Sequence, residues 1–114
     1  MSVSSEEIFN KISDAAEGAF KDGWSAVKDY APAEFKKMAV QLESIAMNVA
    51  AYELDNSHGY SPATGKILFR MQRRATESVL VAVTQLTLIA VEKALNAIIK
   101  VLKEAFGAAL AAAL

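Results

Sequence analysis

The sequence predicts an all-α protein: a three-helix bundle or hairpin with a very long C-terminal helix, completed by oligomerisation. Apolar residues recur at the spacing of amphipathic helices through most of the chain. Helix-breaking residues concentrate around Pro32 and in the segment 55–65. The 114 residues fit a single domain, and their 54% hydrophobic content exceeds the usual value for soluble domains, which indicates additional buried surface.

The first helix is predicted from about residue 4 to about residue 30. Ser4 and Glu7 have the spacing of a capping box, in which each side chain bonds a free backbone N–H group of the other residue. Apolar side chains then follow one face as far as Val27. Asp22-Gly23 interrupts the pattern, so a kink or a close helix crossing is expected there.

The second helix is predicted from about residue 33 to about residue 55, with Pro32 suited to its first turn. Its main apolar face follows a seven-residue repeat. A second, narrower apolar face consists of Val40, Met47, Ala51 and Leu54. Because a helix with two apolar faces normally lies between two neighbours, one neighbour is expected within the chain and the other in a partner.

A loop over 56–61 precedes the third helix, which is predicted from 62 to 112. Ser61 is its expected N-cap and no proline follows Pro62, so an unbroken helix would be about 75 Å long. It could instead end early near Gly107, or bend at Thr84, Gln85 and Thr87. The first two helices, at about half that length each, cannot cover it completely.

The apolar surface of the third helix must pack against other groups, because no charged residue occurs from Ser78 to Val91. The chain's own helices, a partner chain and lipid are the three candidate covers. This run and the apolar tail over 105–114 are both too short to span a bilayer. We therefore expect a homo-oligomer that packs through the small-residue side of the helix. The predicted interface is Val83, Thr87, Ala90, Ala94, Ala97, Val101 and Ala105.

Four bases crowd the first turns of the third helix, where positive charge opposes the helix dipole. They are Lys66, Arg70, Arg73 and Arg74. Either an anion binds there, or carboxylates such as Glu43, Glu53 and Asp55 pair with the bases. Residues 1–60 hold ten acids and five lysines, whereas residues 61–114 hold seven bases and three acids. This asymmetry favours packing of the two halves on each other, within one chain or between subunits.

No catalytic, cofactor or metal motif accompanies these features. His58 is the only histidine, and its position in a breaker-rich loop indicates a turn residue; the functional alternative is a base with Asp55 or a metal ligand. The segment Gly59–Lys66 fails as a phosphate loop because Ile67 replaces the required hydroxyl residue. A net charge of −1 and the lack of a basic face argue against nucleic acid as a partner.

The predicted function is structural or scaffolding interaction as a helical homo-oligomer, in which the sequence identifies no catalytic activity and no cofactor. The first alternative is a membrane-associated or membrane-active protein whose C-terminal tail makes peripheral contact with lipid. The second is a small-ligand-binding or enzymatic helical bundle. The N-terminal residues lack the basic start and apolar core of a signal peptide, so a cytoplasmic location is expected.

Overall fold

The helices are described in a computed structural model, which covers residues 3–110 and 114, with the side chains of 108 and 109 left out. Within these residues the protein is all-helical and has no strand, which confirms the predicted fold class. The helices are α1 (Ser5–Phe20), the single-turn α2 (Trp24–Val27), α3 (Ala31–Leu54), α4 (Pro62–Thr84) and α5 (Leu88–Leu110).

The four long helices run alternately up and down the molecule, which measures 45 × 22 × 19 Å. α1 contacts α3 and α5, and α4 contacts α3 and α5, so the helices form a four-membered ring around a common core. The contact between α1 and α5 is the most extensive of these four, and the contact between α4 and α5 is the least extensive.

The core is apolar and every long helix contributes to it. α3 supplies a large share of it through the predicted seven-residue repeat. Its fully buried side chains include Phe35, Met38, Leu42 and Ile45. α1 adds Ile8 and Ile12, α4 adds Phe69 and Leu80, and α5 adds Val91, Leu95, Ile98 and Leu102.

The first predicted helix is divided in the structure. The Ser4 cap is present, since Ser4 Oγ accepts a hydrogen bond from Glu7 N at 3.1 Å. The α-helix nevertheless ends at Phe20, and Lys21, with a φ of 54°, starts a 3₁₀ turn that runs to Gly23. Across the bend the Phe20 ring lies 6.4 Å from that of Trp24 between centroids, and it also packs on Phe35 of α3 with centroids 6.5 Å apart.

The prediction of one very long third helix is corrected by the structure, in which the segment forms α4 and α5. α4 ends at Thr84, and Gln85 adopts the left-handed conformation with a φ of 64° and a ψ of 7°. The hydroxyl group of Thr84 donates to Leu80 O and accepts from Leu86 N, which satisfies groups at the end of the helix. Thr87 precedes α5 and caps it, since its Oγ1 accepts a hydrogen bond from Ala90 N in the first turn.

Tertiary contact holds this break in place. The half-buried Leu86 packs against the 3₁₀ turn, where a Cβ atom on Gly23 would lie 3.3 Å from Leu86 Cδ1. The break folds α5 back along α4, and much of the charge-free run, including Val83, Leu88 and Ile89, is exposed at this end of the bundle. The segment forms two shorter helices, α4 and α5, in place of the one long helix that was predicted.

The C-terminal end of α5 bends at Gly107, where the predicted helix was expected to be weak. Leu110 lies beyond the bend and is buried in the core, and Leu114 is half-buried. Residues 111–113, on which part of the predicted tail contact falls, lie outside the described residues.

Candidate functional site

A cleft of about 400 Å³ lies between α4 and α5 and is the most basic feature of the structure. It is lined by Lys66, Phe69, Arg70, Arg73, Asn96, Ile99, Lys100, Lys103 and Leu114. Three of the four predicted anion-binding residues therefore line one cleft. The fourth, Arg74, is exposed and does not line the cleft.

Each helix contributes a ridge of three polar side chains at positions that fall on one face. The α4 ridge is Lys66, Arg70 and Arg73, and the α5 ridge is Asn96, Lys100 and Lys103. Arg73 Nη2 donates a hydrogen bond to Asn96 Oδ1 across the cleft, which sets the antiparallel register of the two helices. In this register Arg70 lies at the level of Lys100, and Lys66 at the level of Lys103.

Only one cation of the two ridges has a carboxylate partner among the residues that the structure describes. Arg73 Nε donates to Glu77 Oε1 at 3.0 Å, and Glu77 is almost fully buried. Of the carboxylates proposed from the sequence, Glu43 accepts a hydrogen bond from Ser5 N at 2.6 Å and Asp55 accepts from Ser57 N at 3.0 Å, while Glu53 is exposed and forms no salt bridge among the described residues. The cleft therefore keeps an excess of positive charge.

Lys100 and Lys103 were missed as site residues in the sequence. In an unbroken helix they would lie about 50 Å from Lys66 along the axis. The break over 85–87 folds them back beside the α4 ridge. Their i, i+3 spacing was a signal that both share a face, but the sequence pattern did not indicate that this face meets α4.

The predicted oligomer interface does not form one uniform surface. Ala94 is buried in the chain's own core with 2% exposure, and Val101 is half-buried. The flank that carries both lies opposite the cleft side of α5, and therefore faces α1. The remaining members are exposed: Val83, Thr87, Ala90, Ala97 and Ala105. Whether they contact a second chain stays a prediction.

Five large exposed apolar side chains lie on the outside of α3 and α4, apart from those at the end of the bundle such as Leu88 and Ile89. The second apolar face predicted for α3 points away from the core, with Met47 64% exposed and Leu54 90% exposed. Ile67 and Met71, one turn apart, are exposed on α4. We call these residues the outer face: Val40, Met47, Leu54, Ile67 and Met71.

The loop between α3 and α4 holds the only histidine. His58 Nε2 lies 3.4 Å from Asp55 Oδ2, and both side chains are mainly exposed. The backbone N–H of Ser57, followed by its hydroxyl group, lowers the pKa of Asp55. Gly59 has a φ of 62°, and a Cβ atom there would clash with the carbonyl oxygen of Asn48. This geometry stabilises a tight turn, and the described residues contain no cluster of ligands for a metal ion.

A second cavity, of about 550 Å³, lies between α1 and the N-terminal part of α3. It is lined by Ser5, Glu6, Phe9, Pro32, Ala33 and Lys36. Phe20 is buried in the core and Trp24 packs beside it.

Comparisons with protein-family models, with curated proteins and with solved structures find no match for this chain. Among the described residues, no helix has the length and apolar character that a membrane crossing requires. The function is therefore inferred from the chain's own surfaces.

Proposed function

We propose that the protein is a structural interaction protein that self-associates through the outer face of α3 and α4. The observation that carries this proposal is the exposure of five large apolar side chains on the outside of two neighbouring helices. Removing one such side chain from water contributes about 1.5–3 kcal/mol. Large apolar groups that are exposed on neighbouring helices are typical of interaction sites.

The packing of α3 on α4 aligns the two parts of the outer face. Gly65 lies against the side chains of Ile45 and Val49, and an added Cβ atom there would lie 2.9 Å from Ile45 Cγ2. Since the two helices are antiparallel, this contact brings Met47 and Ile67 to a similar level along the bundle. The two parts of the outer face therefore lie at a similar level on neighbouring helices.

The charges at its ends favour a second copy of the chain as the partner. One end carries two bases. Lys36 lies a turn before Val40 on α3, and Arg74 follows Met71 by three residues on the same side of α4. The other end, past Leu54, reaches the exposed Asp55. A two-fold antiparallel pairing brings the basic end of one copy to the acidic end of the other.

The proposal shifts the self-association surface away from the small-residue side of α5. Ala94 already packs inside the monomer, and most other members of the predicted interface offer little apolar area. Val83 is the one large apolar member that is exposed, and it lies with Leu88 and Ile89 at the end of the bundle. These residues provide a matched control.

Sedimentation velocity tests the proposal. The wild-type chain is expected to sediment as a dimer, and the double variant Met47→Lys, Met71→Lys as a folded monomer, because two lysines at the centre of the contact would be buried without partners. The control, Val83→Lys with Ile89→Lys, adds the same charge to apolar residues at the bundle end and is expected to remain dimeric. A monomeric wild type, or dissociation only in the control, would overturn the proposal.

A further inference from the structure

We propose that the cleft between α4 and α5 binds a small oligophosphate anion, held by Lys66, Arg70, Lys100 and Lys103. These four cations come from two facing ridges, and none forms a salt bridge among the described residues. The proposal is independent of self-association, since the cleft and the outer face use different sides of α4.

Like charges at the same level of two neighbouring helices repel each other. Arg70 lies opposite Lys100, and Lys66 opposite Lys103, so both levels beyond the Arg73–Asn96 hydrogen bond are unfavourable. The contact between α4 and α5 is also the least extensive in the ring of helices. An anion that bridges the two ridges would turn each repulsive pair into two attractive contacts.

The length of the ridges selects an anion with more than one phosphate group. Lys66 and Arg73 are separated by two helical turns, which is about 10 Å along the axis. Arginine and lysine are the residues that bind phosphate oxygens most effectively, arginine through two parallel hydrogen bonds and lysine as a point charge. A linear di- or triphosphate reaches several of these cations at once, whereas a single phosphate reaches one level.

The charge outside the cleft restricts the ligand to a small molecule. Residues 1–60 hold ten acids and five lysines, so a long polyanion that leaves the cleft would meet negative potential. Phe69 and Ile99 form apolar walls between the cations, and Leu114 adds a third apolar group. The cleft therefore also accepts a nonpolar or aromatic part attached to the phosphate chain, as in a nucleoside triphosphate.

Isothermal titration calorimetry with inorganic tripolyphosphate at low salt tests the proposal. We expect one tripolyphosphate per chain, with an affinity at least about tenfold above that for monophosphate because more cations are engaged. Affinity should fall as salt is added, since these cations are solvent-accessible. A titration with ATP distinguishes a nucleotide from a free oligophosphate as the natural ligand. Tighter binding of ATP than of tripolyphosphate indicates a nucleotide, and equal affinities indicate a free oligophosphate.

Two variants with the same change in net charge test the location. Arg70→Gln with Lys103→Gln removes one cation from each ridge and is expected to weaken tripolyphosphate binding about tenfold or more. Arg74→Gln with Lys93→Gln removes exposed cations that do not line the cleft and should change affinity less than about twofold. Both variants are expected to stay folded, since neither removes a buried group.

Absence of tripolyphosphate binding to the wild-type chain, or equal loss in both double variants, would overturn the proposal. The second result would mean that general surface charge attracts the anion without a site. The Met47→Lys, Met71→Lys variant separates the two proposals, because a monomer that still binds tripolyphosphate supports the cleft whatever the outcome for self-association.

Discussion

α5 contacts its two neighbouring helices through different chemistry. Towards α1 it presents the buried Ala94 and the half-buried Val101, and α1 contributes further alanines such as Ala16 to the core. Towards α4 it presents Lys100 and Lys103, which face further cations. Small apolar side chains allow extensive contact on one side, whereas like charges leave a cleft on the other. The contact between α1 and α5 is therefore close, whereas the contact between α4 and α5 is less extensive.

The largest expected effect is on the α1 side. Ala94→Glu should lower the free energy of unfolding by at least about 3 kcal/mol, because it places an unpaired charge in the core. Urea denaturation followed by circular dichroism measures the loss. Ala97→Glu, one turn further on the same helix and exposed, is the control and should change the free energy by less than about 0.5 kcal/mol. Equal losses in both variants would mean that α5 is rotated from the orientation described.

A smaller effect is expected on the α4 side from Glu77→Gln. Loss of the buried carboxylate that accepts from Arg73 should lower the free energy of unfolding by about 1–2 kcal/mol. The same change adds positive charge to the cleft and should raise the affinity for tripolyphosphate. Denaturation measures the expected loss of stability, and calorimetry on the same sample measures the expected gain in affinity for tripolyphosphate. A loss of both stability and affinity would contradict the assignment of Glu77 as a counter-charge to the cleft.

The break between the two helices gives a third prediction. Gln85→Gly should raise the free energy of unfolding by up to about 1 kcal/mol, since a side chain at a positive φ is strained and glycine is not. Gln72→Gly, the same substitution within the helical part of α4, should lower it by about 1 kcal/mol. Thermal denaturation of both variants shows whether each substitution raises or lowers the stability. Destabilisation by Gln85→Gly would show that the αL conformation is not what ends α4.

The smallest effect is expected from Lys103→Gln. Removing one member of a like-charged pair should raise the free energy of unfolding by about 0.3 kcal/mol at low salt, and added salt should abolish the gain. Melting temperatures at two ionic strengths provide the measurement. Lys93→Gln, at an exposed position of the same helix that does not line the cleft, is expected to show no gain. A gain in both variants would remove the evidence for repulsion inside the cleft.

Much of the helical structure could be predicted because it depends on local patterns. The Ser4 cap, the start at Pro62 and the core face of α3 all follow from residue types at fixed spacing. The second apolar face of α3 was also predicted, and its exposure shows that the chain itself leaves it uncovered.

At 84–87 the sequence indicated a bend as an alternative but not a full break, because no glycine or proline marks one there. Thr84 and Thr87 form its caps, yet threonine also occurs within helices, and the decisive contact is between Leu86 and Gly23, residues far apart in the sequence. The basic cleft depends on that break. It was therefore predicted only in the part that lies on α4, and the lysines of α5 were missed.

The contact between α1 and α5 has a consequence for how the chain acquires its structure. Helices that are consecutive in the sequence pair early, but α1 meets its most extensive partner only across nearly the whole chain. During synthesis, Ile8 and Ile12 therefore remain incompletely covered until α5 has been made. Loop closure between such distant segments is slow, so the joining of the first and last helices is the expected final step of folding. A nascent chain that ends before Leu88 would expose the same apolar side of α1 to other proteins.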